Sequence, residues 1–331
     1  MKKSKVIFFK DFKKFNEALT HFNIEKFQDK KIPLKLHMGE LKNKYYPKSE
    51  FVKKVIDVLK ENKINPYLFD TTVAYPGLRH YKKGYHKVAK IHGFTEKKTG
   101  SQVVIDDTGK NIKIENNEFE VADSLINSTH IFALSHVKGH IACGMGGAIK
   151  NFGMGGVTKE SKIKIHHDSR PEYKKDECTY CGRCSEVCPF GAIKVKNDNW
   201  DINLRKCFGC GVCVNACKTG AIQYKKADFQ YLLACACKAC VQNKQVIYLN
   251  EVKRISKGCD CDPFAGPIIC PDIGYFVSDD PVAIDKASID EINKVKPNIF
   301  EKENNISPDK QIEYGEKIGL GSSNYELIKL K

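Results

Sequence analysis

The chain has 331 residues, 41% hydrophobic and 29% charged, with a formal charge of +15. This composition excludes a disordered chain, and the lack of any apolar run of roughly eighteen residues excludes a transmembrane helix. The charge is not a nucleic-acid signature either. Only Arg79, Arg170, Arg183, Arg205 and Arg254 are arginines among 55 basic residues, and arginine is the usual bidentate reader of phosphate and base edges. The lysines are mixed with Glu and Asp, as on solvated surface; such a surface can also steer an acidic partner protein.

The opening MKKSKVIFFKDFKKF starts like an export signal, but charges interrupt VIFF at once, so it reads as a first strand of a cytoplasmic protein. An amphipathic helix FNEALTHFNIEKF follows. IPLKLHM then leads to the helix SEFVKKVIDVLKENK, and PYLFDTTVAY to HYKKGYHKVAKIHGF. Strands SQVVID and NIKIE precede THIFALSHVKG and a glycine-rich segment. After a cysteine-rich stretch the pattern resumes: a helix at DFQYLLACACKAC, strands QVIYLNEV and PDIGYFV, and a helix after Pro281. Strands alternating with helices predict an α/β fold, a mostly parallel sheet covered by helices. The cysteine-rich module, residues 172–226, reads as a small ferredoxin-like α+β insert between the two parts of that domain, 1–171 and 227–331.

The glycine segment contains an echo, CGMGGAIKN and FGMGGVTKE, with Lys150 and Lys159 in the same register. It fits neither a Walker loop nor a dinucleotide fingerprint. Close packing of the backbone against the insert and a substrate cradle both remain open.

Fifteen cysteines in a cytoplasmic chain imply metal or redox chemistry rather than disulfides. CTYCGRCSEVCP supplies Cys178, Cys181, Cys184 and Cys188; CFGCGVCVNACK supplies Cys207, Cys210, Cys213 and Cys217. In two-cluster ferredoxins three cysteines of such a run hold one 4Fe-4S cluster and the fourth holds the other. The expected sets are therefore Cys178, Cys181, Cys184 and Cys217 for one cluster, and Cys207, Cys210, Cys213 and Cys188 for the second. PFGAI and KTGAI continue the pseudo-repeat.

The module resembles bacterial-type two-cluster ferredoxins. On a larger scale SHVKGH, GMGGAIKNFGMG, the insert, CDC, PDIGYFVSDDPVAIDKAS and GEKIGLGSSNYEL occur in an order that resembles the iron–sulfur centre proteins grouped as domain of unknown function 362. That resemblance implies bound 4Fe-4S clusters and a cytoplasmic redox role, without a substrate.

Seven cysteines are left over. Cys143 reads as a small buried hydrophobe. Cys235, Cys237, Cys240, Cys259, Cys261 and Cys270 are close enough in sequence to suggest a third metal site, a further iron–sulfur cluster or zinc. On a regular helix, however, Cys235 and Cys237 point about 200° apart, so their convergence requires the helix to end or distort. Cys259-Asp-Cys261 reads as a loop that can turn two thiolates inward.

Ligands of parallel sheets bind beyond the carboxyl ends of strands. His37 and Glu40, Asp70, and His136, Lys138 and His140 occupy such ends. Lys138, His140 and His37 are the catalytic candidates, as proton donors to a small-molecule substrate. His166 and His167 read as surface residues, and Asp279 and Asp280 as a helix start at Pro281. Two functions survive. One is a cluster-dependent oxidoreductase passing low-potential electrons to a site in the α/β domain, working anaerobically. The other is an electron-transfer or iron–sulfur/sulfur-handling protein with no substrate of its own. The large α/β body favours the enzyme.

Overall fold

The computed structural model describes residues 3–331. Eight strands form one sheet: β1 (Ser4–Phe9), β2 (Lys31–Lys35), β3 (Asn65–Thr71), β4 (Val103–Asp106), β5 (His130–His136), β6 (Gln245–Val252), β7 (Gly274–Ser278) and β8 (Tyr325–Lys329). Their spatial order is β8-β1-β7-β6-β5-β2-β3-β4. Only β7 runs against the others, pairing antiparallel with both β1 and β6. The fold is thus the mostly parallel α/β sheet that the strand–helix alternation predicts. The central strands are apolar on both sides because both sheet faces are covered. One face packs on the helices α1 (Ser49–Glu61) and α2 (Lys82–Ile91). The other packs on the short α3 (Ala148–Gly153) and the longer α4 (Phe229–Val241) and α5 (Pro281–Val295).

The expected first helix is broken. Phe15–Leu19 is helical and Ile24–Phe27 is a separate 3₁₀ turn. Phe15, Leu19, Phe22, Ile24 and Phe27 are all buried, so the segment follows the core surface rather than keeping one helical stripe.

Residues 171–224 leave and re-enter this body through an antiparallel pair, Pro171–Tyr173 against Ile222–Tyr224. Between them lie a hairpin, Ile193–Lys196 with Asn199–Ile202, and helical turns at Arg183–Glu186 and Val212–Ala216. Cys184, Ile193, Cys213 and Ile222 form a separate small core there.

The glycine echo packs within the α/β body, not against the insert. A side chain at Gly147 would stand 2.3 Å from the Asp285 carboxylate, and one at Gly156 would stand 2.7 Å from the Cys240 sulfur. Asp285, on α5, accepts the N–H groups of Ala148 at 2.7 Å and Ile149 at 2.9 Å, and the Asn250 amide at 2.9 Å. Burial raises its carboxyl to about 6 against those bonds. This capping holds the start of α3, whose next turn carries Lys150 and Asn151. Asp280 caps α5 through the N–H groups of Val282 and Ala283, both within 3.0 Å, matching the structural role read from the Asp-Pro step.

Asp285→Ala leaves two buried N–H groups without an acceptor and is expected to cost about 2–4 kcal/mol, measurable by urea denaturation under anaerobic conditions. A loss below about 1 kcal/mol would show that α3 is anchored by other contacts.

Candidate functional site

The carboxyl ends of β2, β3, β5 and β6 and the start of α3 surround a cavity of about 90 Å³. Lys35 reaches it from the end of β2 and His37 from just beyond, Asp70 and Thr71 from β3, Lys138 and His140 from beyond β5, and Cys261 from the loop after β6. Lys150, Asn151, Gly155, Lys162 and Arg79 complete most of its polar lining. All three catalytic candidates therefore share one cavity.

His37 and His140 are held in the same way. The N–H of Gly39 donates to His37 Nδ1 at 3.1 Å, and that of Ala142 donates to His140 Nδ1 at 3.1 Å. A neutral imidazole that accepts at Nδ1 carries its proton at Nε2. Burial depresses both pKa values well below the ordinary histidine range, helped by Arg79 at His37 and by Lys150 at His140. Both rings are therefore neutral Nε2–H donors.

Lys138 donates to the carbonyl of His136 at 2.8 Å and pairs with Asp260 at 3.2 Å. Asp260 also accepts from His136 Nδ1 at 2.9 Å, while His136 Nε2 lies 2.8 Å from the Lys253 carbonyl. Burial alone would raise the Asp260 carboxyl, yet His136 and Lys138 hold it well below the usual carboxylate range.

A second polar knot lies across the cavity. Lys35 donates to Asp70 and Asn151, both at 2.9 Å. Arg79, 1% exposed, contacts Glu40 at 3.4 Å and Asp70 at 3.7 Å, and donates to the Tyr75 and Tyr85 hydroxyls. Asn151 also donates to Ser135 and the Leu134 carbonyl, tying α3 to β5.

Lys162 differs from the other cations. It is 5% exposed and donates to the Thr71 hydroxyl and the Thr72 carbonyl, with no carboxylate in contact. Burial lowers its pKa to about 7, only partly offset by Asp70.

Composition and periodicity did not single out Lys35, Arg79, Lys162 or Asp260. The one usable signal was the lysine of the glycine echo. Lys150 points to the sulfur of Cys259 at 3.2 Å, whereas its counterpart Lys159 lies near His80.

The eight cysteines of the two runs fall into two groups. Cys178, Cys181, Cys184 and Cys217 line one small cavity, and Cys188, Cys207, Cys210 and Cys213 line another, the crossed arrangement that the spacing predicts. Backbone N–H groups already point at sulfur, from Tyr180 to Cys178 at 3.3 Å and from Ala192 to Cys188 at 3.2 Å. The buried Tyr173 hydroxyl and Trp200 indole N–H have no hydrogen-bond partner and lie beside Cys178 and Cys184. Such orphaned donors fit inorganic sulfide or cysteinyl sulfur as acceptors.

Phe208 lines both the second cysteine cavity and the large one. Its ring lies 4.3 Å from His166, which stacks on Phe229 at 5.2 Å, and Phe229 lies parallel to His140 at 6.1 Å. His166 thus lines the cavity instead of the surface, because its Nδ1 is tied to the Phe208 carbonyl at 3.0 Å; His167 is exposed as expected.

The six surplus cysteines do not form one site. α4 runs unbroken through Cys235, Cys237 and Cys240, so its roughly 100° step per residue spreads them. All three are buried among apolar neighbours, where burial raises each thiol pKa. Cys270 sits on a short strand paired with Ile255. Cys143, fully buried, contacts His140 Nδ1 at 3.2 Å. Of the six, Cys261 lines the cavity, and Cys259 lies directly behind it against Lys150. Their sulfurs and a ring nitrogen of His140 lie within 4.8 Å of one another. A hydrogen bond from Cys261 holds the Cys259 thiol well below the usual range against burial, with help from Lys150 and Lys138, and the same bond pushes Cys261 up.

Among the described residues no helix is long and apolar enough to cross a membrane.

A family described as "Domain of unknown function (DUF362)" matches residues 32–290. An uncharacterized ferredoxin of Methanocaldococcus jannaschii is 61% identical over 34 residues, 10% of this chain and 55% of the ferredoxin. Among solved structures, the lactate racemase apoprotein of Thermoanaerobacterium thermosaccharolyticum aligns at 12% identity with a TM-score of 0.39, covering 76% of this chain and 51% of the racemase. A protein of Thermotoga maritima aligns at 9% identity with a TM-score of 0.38, covering 72% and 50%. The chain thus spans about half the length of each of these three proteins. The ferredoxin likeness and the cysteine-rich region point to iron–sulfur cluster binding.

Between about pH 7 and the ordinary lysine value of 10.5, the unfolded chain holds more protons at Lys162 than the folded chain. The residue therefore adds stability as pH rises through that window. Lys162→Met should lose this slope in urea titrations at pH 7 and 9.5, and parallel profiles for the two proteins would refute the uncompensated burial of Lys162.

Proposed function

The chain belongs to the DUF362 family, and on that footing we propose that it is an iron–sulfur oxidoreductase that passes low-potential electrons from its insert to a small anionic substrate in the α/β cavity. The observation that carries the reading is Phe208, which lines both the inner cysteine cavity and the large cavity and starts the ring path to His140.

Cys178, Cys181, Cys184 and Cys217 would hold one 4Fe-4S cluster, and Cys188, Cys207, Cys210 and Cys213 the other. Bound there, the clusters supply one-electron chemistry at low potential. The outer set contains Cys181, which is exposed; this supports electron entry there from an acidic partner of ferredoxin or flavodoxin type, drawn by the basic surface. The inner set lies next to Phe208.

Within the cavity the protein's own groups bind and orient the substrate. Lys162, lacking a carboxylate partner, offers its charge to an anion. The Nε2–H groups of His37 and His140 and the Lys138 ammonium supply hydrogen bonds and protons as negative charge develops on the substrate. A pure carrier has no use for a cavity lined by Lys35, Arg79, Lys138, Lys150 and Lys162, and that favours the enzyme.

Anaerobically purified protein should contain about eight iron and eight acid-labile sulfide per chain, falling toward about four in Cys210→Ser. Reoxidation of dithionite-reduced protein by members of a panel of small organic anions should be lost in Lys138→Met and His140→Phe with iron content intact. Unchanged reoxidation rates in both variants would refute their roles.

A further inference from the structure

We propose that Cys259 and Cys261 form a dithiol–disulfide couple at the wall of the cavity, gathering single electrons into a two-electron reductant for the bound substrate. The inference rests on the proposed function for the source of its electrons, but the couple itself rests on the loop geometry.

The two thiols are one residue apart on an inward-turned loop, and the N–H of Cys261 donates to the Cys259 sulfur at 3.4 Å. Both sulfurs lie within 4.8 Å of a His140 ring nitrogen. Lys150 stands 3.2 Å from Cys259 Sγ, and an adjacent ammonium stabilises the thiolate, the form that attacks and leaves in disulfide chemistry. Cys261 lines the cavity, so the couple meets whatever binds there. His140 is also the last ring of the path from Phe208 through His166 and Phe229.

Two thiols and an imidazole could instead be ligands of an open metal site. The hydrogen bonds argue against this. A ligating Nε2 needs a free lone pair, but the Ala142 N–H occupies the Nδ1 lone pair, which places the ring proton on Nε2. The ring is arranged to donate. Lys138 and Lys150 also line this wall, so a divalent cation would enter against two ammonium groups in a poorly screened interior.

The step balances. In the reducing direction the S–S bond breaks with two electrons delivered one at a time by a low-potential donor. One proton from water completes the Cys261 thiol, Cys259 stays the thiolate beside Lys150, and the return step takes its second proton from water. In the other direction the S–S bond re-forms as the substrate, an acceptor of two electrons and two protons, is reduced.

The test uses the full-length, cluster-loaded protein. Samples are equilibrated in dithiothreitol redox buffers, quenched in acid, alkylated with iodoacetamide and digested. The peptide containing both residues should change from doubly alkylated to unalkylated and lighter by two hydrogens, and this transition should be absent in Cys259→Ser and Cys261→Ser. Double alkylation at every buffer ratio overturns the couple. So does a stoichiometric non-iron metal that is lost in Cys259→Ser. In a second arm, reduced methyl viologen replaces dithiothreitol. Phe229→Leu should lose reduction by viologen while keeping reduction by dithiothreitol. If viologen fails in the wild type while the dithiothreitol transition remains, the couple stands and the electron route of the proposed function falls.

Discussion

One buried carboxylate fastens the working end of the sheet. Asp260 is 0% exposed. Its side chain accepts from His136 and Lys138, while its backbone carbonyl accepts the Glu40 N–H at 2.9 Å. The end of β5, the loop after β6 and the loop after β2 therefore meet at a single residue. An isolated ionised carboxylate in such a place would be expensive, and it is tolerable only because two cationic or proton-donating partners saturate it. The same contact orders the chemistry. With the middle residue of Cys-Asp-Cys drawn toward β5, the flanking cysteines are presented to Lys150 and the cavity. Removing Asp260 would therefore unpair Lys138 and release the Cys259–Cys261 loop together.

The legible features were those in which sequence spacing and spatial spacing coincide. VIFF, PYLF, IFALS and QVIYL read as strands because a sheet covered on both faces demands continuous apolar runs. The crossed grouping of the eight cysteines was legible because three thiols two residues apart must wrap one loop, which leaves the fourth for the neighbouring site. Strand direction was not legible. Gly274–Ser278 has the same apolar character as its parallel neighbours, and its reversal comes from the connection through Cys270 rather than from its own residues.

The surplus thiols mislead for a related reason. Cys235, Cys237 and Cys240 crowd within six positions, but a helix turns closeness in sequence into angular spread, so closeness along the chain does not make a ligand set. The true neighbours of Cys259 are Lys150 and His140, more than 100 positions away. The cavity's cations were hidden by the habit that lysine and arginine lie at the surface. Lys35 ends a strand whose Ile32, Pro33 and Leu34 are buried, and it is itself 0% exposed. Part of the chain's positive charge is thus inside the molecule, where composition cannot place it.

That internal charge joins the two halves of the chemistry. Lys35 and Arg79 are matched by Asp70 and Glu40, Lys138 by Asp260 and Lys150 by the Cys259 sulfur. Lys162 alone has only neutral partners, so a bound anion would complete an arrangement one negative charge short. In the proposed oxidoreductase, electrons arriving through the ring path would add negative charge to the same space. In a low-dielectric cavity the nearby ammonium groups stabilise that added charge more than water would, which favours the acceptor end of the path over the donor end. The lysines that would hold an anionic substrate are thus also the groups that would draw electrons toward it.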